Sequence, residues 1–182
     1  MEIVKSNRKT ISIQIKRDGT VLVRAPLFMK DREILAFVKQ KEHWIREHVK
    51  KAEERKENAA HVEKLTANEV QQLANQALQV IPKKVRFYAE RMKVSYGRIT
   101  IRNQKTRWGS CSGKGNLNFN CLLMLAPDEV IDYVVVHELC HLIEMNHSKA
   151  FWNQVERIMP DYQVHRKWLK DHGSEIMSRM FS

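Results

Sequence analysis

Residues 134–147, VVVHELCHLIEMNH, hold His137 and His141 four positions apart, with Glu138 directly after the first. On a helix, positions i and i+4 lie one turn apart on the same face, so the two imidazoles aim at a common point. That convergence suits two ligands of one zinc ion. Glu138 sits roughly 100° further round the helix. It can reach a water on that ion without ligating it, which is how HExxH hydrolases use the glutamate as general base. Tyr133, Val134, Val135, Val136, Leu139 and Leu142 flank these groups, so the helix should be largely buried. Unpaired polar groups in such a core are costly, and a metal with its water supplies partners for all three.

A third ligand is then required. His147 follows His141 by six residues, the spacing with which metzincins bind zinc through three histidines. Glu144 stands where that class has a glycine, so Asn146 is expected to supply a left-handed turn instead. Glu156 and His165, from the helices that follow, are the alternatives to His147. In the stretch 105–110, KTRWGS, an edge strand above the helix would pair with extended substrate and bring Arg107 or Ser110 to the metal. The competing reading makes Trp108 a core anchor, Gly109 a tight turn or bulge, and Arg107 merely exposed. Phe151 and Trp152 read as packing beneath the site. Tyr162, after Pro160 and Asp161, could stabilise an oxyanion from across the cleft.

Several elements must position these residues. Residues 8–25 read as a β-hairpin: Ile11, Ile13 and Ile15 alternate with polar residues, Asp18-Gly19 turns, and Val21 and Val23 resume the pattern. A helix is predicted from Asp31, as N-cap, to about Asn58. A second runs from Thr66 to Met92, with a Thr66/Glu69 capping box and a break or kink at Pro82. Strands are predicted over 97–102 and 116–125. Asp128 caps the helix carrying the histidines, Ser148 caps one reaching Met159, and a last helix runs from Asp161 to about His172, stopped by Gly173. The order, ββ-α-α-ββ-α-α-α, makes α+β with antiparallel strand pairs the expected class.

The chain has 182 residues, enough for one domain with its own core and a small appendage. The expected division is a hairpin and helix over 1–60 and a catalytic core over 61–182, unless all of it is one compact domain. The charged N-terminus has no uninterrupted apolar segment, and no stretch approaches the roughly 20 apolar residues of a membrane span. A soluble, cytoplasmic protein without membrane contact is expected, with Cys111, Cys121 and Cys140 reduced. A net charge of +11 favours anionic partners: nucleic acid, nucleotides or acidic protein surfaces.

The run TRWGSCSGKGNLNFNCLLMLAPDEVIDYVVVHELCHLIEMNHSKAFW resembles the YgjP-like metal-dependent hydrolases, relatives of the SprT-like and WLM metallopeptidases. RKTISIQIKRDGTVLVRAP resembles that family's opening hairpin. Together they cover most of the chain, and Arg107 to Trp152 is the most specific part. The resemblance implies a minimal zincin-like domain: a small antiparallel sheet packed on the HExxH helix, one Zn²⁺ held by His137, His141 and His147, and Glu138 catalytic. It leaves the substrate open. Peptide or protein is the first expectation. The alternative is a nucleoside-triphosphate (UTP) pyrophosphatase with Arg102, Lys105 and Arg107 clamping phosphates, although no carboxylate cluster for hard cations is visible. A nucleic-acid-associated module with a structural metal is the third reading. Structural zinc normally closes its shell with four protein ligands, which disfavours it.

Overall fold

The computed structural model describes residues 1–16 and 18–180, apart from the side chains of residues 55, 56 and 58–61. The chain divides into two compact units, Met1–Val62 and Glu63–Ser182.

In the first unit, β1 (Glu2–Ser6), β2 (Ser12–Ile15) and β3 (Val21–Pro26) form a sheet in the order β1-β3-β2. The expected hairpin is β2–β3, paired antiparallel with Ile13 opposite Val23. Gly19 takes φ +85, and the Asp18 carboxylate accepts the Thr20 N–H at 2.9 Å, which closes the turn. Its alternating apolar residues, with Val23 and Ala25 at the centre, pack on Ile34 and Val38. β1 was not foreseen. It pairs parallel to β3 through its backbone and all five of its residues are exposed, so it leaves no buried alternation to read. The single helix expected from residue 31 is two helices, α1 (Asp31–Gln40) and α2 (Glu42–His61), because Lys41 leaves helical geometry at φ −99, ψ 11. Lys30, not Asp31, occupies the N-cap position of α1.

The second unit carries the histidines. α3 (Ala67–Met92) opens on the expected capping box: the Thr66 hydroxyl accepts the Glu69 N–H at 3.3 Å, and the Glu69 carboxylate accepts the Thr66 N–H at 2.7 Å. Pro82 sits inside this helix without ending it. Proline frees the carbonyl one turn earlier, and Leu78 at that place is exposed, where water can bond the carbonyl. Ala77, Ile81, Val85, Ala89 and Met92 bury the other face and hold the helix on both sides of the proline.

β4 (Ile99–Arg102), β5 (Gly109–Cys111) and β6 (Leu117–Asn120) form the second sheet, in the order β4-β6-β5. The α+β class holds, but each sheet is mixed. β4 runs parallel to β6, because the unforeseen β5 lies between them in sequence and makes the hairpin with β6. The apolar run 121–125 is a 3-10 turn and not a continuation of the strand. Asn120, 1% exposed, ends β6 by accepting the Leu122 N–H on its side-chain oxygen at 3.1 Å.

α4 (Asp128–Cys140) is buried over most of its length and packs against α3, β5, α5 (Lys149–Ile158) and α6 (Tyr162–Ser178). Pro127, not Asp128, occupies its N-cap position. Asp128 instead joins Asp132 in binding Lys84 of α3, each at 2.7 Å. The Lys84 and Asp132 side chains are only 17% and 19% exposed. Lys84→Met should therefore cost about 1–3 kcal/mol, since it strands a half-buried carboxylate. A lowered urea midpoint at unchanged slope would register this. α6 runs through Gly173 rather than stopping there. A Cβ at 173 would come 3.2 Å from the Trp108 ring, so this glycine serves close packing and not a helix end. No helix among the described residues is long and apolar enough to cross a membrane.

Candidate metal centre and active site

α4 ends at the histidine cluster. His137 and Glu138 lie in its last turn, and His141 occupies the C-cap with φ −66, ψ −15. The chain then folds back. The Glu144 N–H donates to the Cys140 carbonyl at 2.9 Å, and the Ser148 N–H donates to the Asn146 side chain at 3.0 Å. Asn146 is not left-handed. Lys93 is the one non-glycine residue at positive φ among those described, and Asn146 makes its turn through the side-chain oxygen instead. The Ser148 hydroxyl then caps α5 by accepting the Phe151 N–H at 3.3 Å.

This return brings His147 back over the helix. The His137 and His141 ring centroids are 5.0 Å apart, those of His137 and His147 5.0 Å, and those of His141 and His147 4.7 Å. One nitrogen from each ring lies within 4.8 Å of the others. Among the described residues these three are the sole group of His, Cys, Asp or Glu side chains placed to hold one ion. Phe151, fully buried, floors all three rings at 4.9, 4.5 and 4.8 Å between centroids.

The donor set fits a metal. Burial, and after it the neighbouring His141, His147 and Arg166, pushes His137 down to about 3, so its ring is neutral. Burial also lowers His141. The His141 Nδ1–H donates to the Glu144 carbonyl at 3.1 Å, which leaves Nε2 as the lone-pair atom. The Nε2 atoms of His137 and His147 meet at 3.0 Å, while the other ring nitrogen of His137 is buried with no partner among the described residues. Two imidazole nitrogens satisfy each other only if one holds a proton between them. A cation accepts all three lone pairs at once.

Glu138 is 5% exposed and outside this nitrogen cluster. Burial pushes its carboxyl up to about 8, and the Arg107 guanidinium pulls the other way. β5 presses against it: a Cβ on Gly109 would lie 2.7 Å from both Cγ and Oε1 of Glu138. Gly109 is thus required by the glutamate, a close approach that the spacing of residues does not advertise.

The remaining expected site residues divide. Arg107 is exposed but acts on Glu138 through its charge. Its backbone is tied down by Asn120, whose side-chain amide donates to the carbonyls of Gln104 and Arg107 at 2.6 and 2.9 Å. Ser110 follows Gly109 in the strand and so points to the opposite face, where its hydroxyl accepts from Asn118 at 3.2 Å. Tyr162 is buried, stacked between Trp152 at 5.4 Å and Tyr133 at 6.5 Å. Arg102 donates to Asn118 at 3.2 Å. Glu156 is exposed, His165 bonds Asp161 at 3.2 Å, and neither joins the three-histidine group. Asn120 and Arg166 escaped the sequence reading, and Gly109 was read only as a tight turn or bulge, because their roles come from contacts between distant segments.

Residues 9–70 and 61–172 match the family described as YgjP-like, metallopeptidase domain. The chain belongs to the YgjP-like metallopeptidases. The family gives this YgjP-like chain its activity class, metal-dependent hydrolysis of peptides, and with it a metal ion. Two solved structures are similar to parts of it. One is the metallopeptidase zymogen of Pyrococcus abyssi abylysin, with 20% identity over 50% of this chain and 94% of that one and a TM-score of 0.46. The other is the metallopeptidase zymogen of Methanocaldococcus jannaschii jannalysin, with 21% identity over 51% and 94% and a TM-score of 0.44. No curated protein matches the sequence.

Proposed function

We propose that this YgjP-like domain is a zinc peptidase in which His137, His141 and His147 hold the ion and Glu138 carries the proton. The supporting observation is three imidazoles with ligand atoms within 4.8 Å of one another, beside a buried carboxylate outside the cluster. Neutral nitrogen donors favour zinc over magnesium or calcium, which take oxygen. Three protein ligands, rather than four, leave the position a catalytic site needs.

When bound, zinc polarises the scissile carbonyl and makes a water acidic enough to ionise near neutral pH. Glu138 takes the proton of the attacking water and delivers it to the leaving amine nitrogen. Gly109 fixes where that carboxylate stands, and β5, at one edge of its sheet, offers backbone groups to an extended peptide. Arg107 favours the ionised form of Glu138 that can accept the proton. The three unpaired thiols suit a reducing compartment such as the cytoplasm.

Gly109→Ala should lower kcat by about tenfold to a hundredfold, because its methyl group displaces the carboxylate and small misplacements weigh heavily on catalysis. Zinc content and melting temperature measured alongside should stay at wild-type values; a parallel loss of zinc would mean the ligand cluster had been disturbed instead.

The peptidase reading is tested by supplying an unfolded protein and UTP in parallel to wild type and Glu138→Gln. Cleavage of the protein by wild type only is the expected result. Hydrolysis of UTP that disappears in the variant would move the chemistry to phosphorus. Equal activity of both proteins would point to a contaminant.

A further inference from the structure

The aromatic wall of the site carries a cation that the peptidase chemistry above leaves unused. The guanidinium of Arg166, on α6, lies 4.3 Å from the centroid of the Trp152 ring. That ring stacks on His147 at 5.7 Å and lies 5.8 Å from His137, so a single aromatic ring separates the cation from the ligand cluster. Tyr162, one turn earlier on α6, stacks on Trp152 as well and is backed by Tyr133 of α4. The platform beneath Arg166 is therefore held by three helices.

Arg166 is exposed and makes no hydrogen bond or ion pair among the described residues. Its neighbours on α6 do: Asp161 binds His165 and Asp171 binds Lys167. Asp161 and Asp171 are thus already engaged, and the guanidinium of Arg166 over the Trp152 ring keeps its N–H groups free of partners among the described residues. An aromatic platform orders a guanidinium without consuming its donors. A planar fork of free N–H groups receives a carboxylate through two parallel hydrogen bonds. Arg107 is exposed as well but its charge acts on Glu138, which leaves Arg166 as the guanidinium beside the cluster without a carboxylate of its own among the described residues.

We infer that Arg166 is a specificity-determining residue that binds a carboxylate of the peptide substrate near the scissile bond. The carboxylate is either the α-carboxylate of a chain end or an acidic side chain. The inference rests on the peptidase reading above.

Three quenched-fluorescence peptides of one core sequence distinguish the sources: one ending in a free carboxylate, one in an amide, and one amidated with Glu replacing Gln after the scissile bond. Zinc-loaded wild type is expected to favour a carboxylate-bearing peptide over the neutral one by about tenfold in kcat/KM, as suits a charge-assisted bidentate contact. Which of the two responds names the source. In Arg166→Gln that ratio should fall towards one, and Arg166→Lys should retain part of it. Anisotropy of the same peptides bound to Glu138→Gln should repeat the ranking without turnover. Equal treatment of all three by wild type, or an equal slowing of all three in Arg166→Gln, would reduce Arg166 to a clamp on Trp152 and overturn the inference. Failure of wild type to cleave any peptide would instead remove the peptidase reading, and this inference with it.

Discussion

Replacing His147 by alanine is expected to strip the protein of zinc and of hydrolytic activity together, with the fold unchanged. His147 lies between α4 and α5 and is exposed, so its removal leaves no cavity in the core. What it removes is one of three converging nitrogens. Losing only a supporting partner of a metal ligand commonly costs about 10–100-fold in affinity. Losing the ligand itself should exceed about 100-fold on the same scale. Zinc per chain after desalting should fall well below one equivalent, and activity should follow it. The melting temperature of the metal-free variant should fall only slightly below that of metal-free wild type, because the exposed His147 ring gives up its contacts with Phe151 and Trp152 and no buried side chain is removed. Full zinc retention by the variant would hand the third ligand to another group.

The second large effect is expected from Glu138→Gln. The substitution keeps size and shape and removes the ability to accept a proton. General-base loss lowers kcat by about 10²–10⁴-fold. Zinc content should be unaffected, since Glu138 is not among the converging nitrogens. KM should change little, because the carboxylate is 5% exposed and acts on the proton and not on substrate binding. A comparable fall in zinc would instead make Glu138 part of the metal's support. Together the two variants separate holding the ion from using it.

The cluster was legible because it is written in helical periodicity. A four-residue step on α4 dictates that His137 and His141 share a face, whatever surrounds them. The Thr66/Glu69 capping box and the Asp18-Gly19 turn are equally local, and both stand where the sequence puts them. The return of His147 was legible in its spacing but not in its means: an asparagine side chain replaced the expected backbone conformation.

What could not be read was set by distant segments. β1 pairs through backbone groups and buries nothing, so no alternation marks it. The parallel pairing of β4 and β6 depends on the three residues of β5, too short to show a pattern. CLLML, at 121–125, is apolar enough for a strand, yet Asn120 turns it into a 3-10 segment with one hydrogen bond. Lys41 interrupts α1 and α2 without a glycine or proline to signal it. Gly109 and Gly173 both look like turn residues in sequence. In the fold each makes room for a partner far along the chain, Glu138 for the first and Trp108 for the second.

Zinc K-edge X-ray absorption on the metal-loaded protein tests the three-imidazole site most directly. The expected spectrum has three nitrogen scatterers at about 2.0–2.1 Å with the multiple scattering of imidazole, plus a light atom in the remaining position. In His147→Ala the imidazole contribution should drop. A sulfur shell near about 2.3 Å, or a zinc environment unaltered by that substitution, would contradict the assignment of His137, His141 and His147 as the ligands.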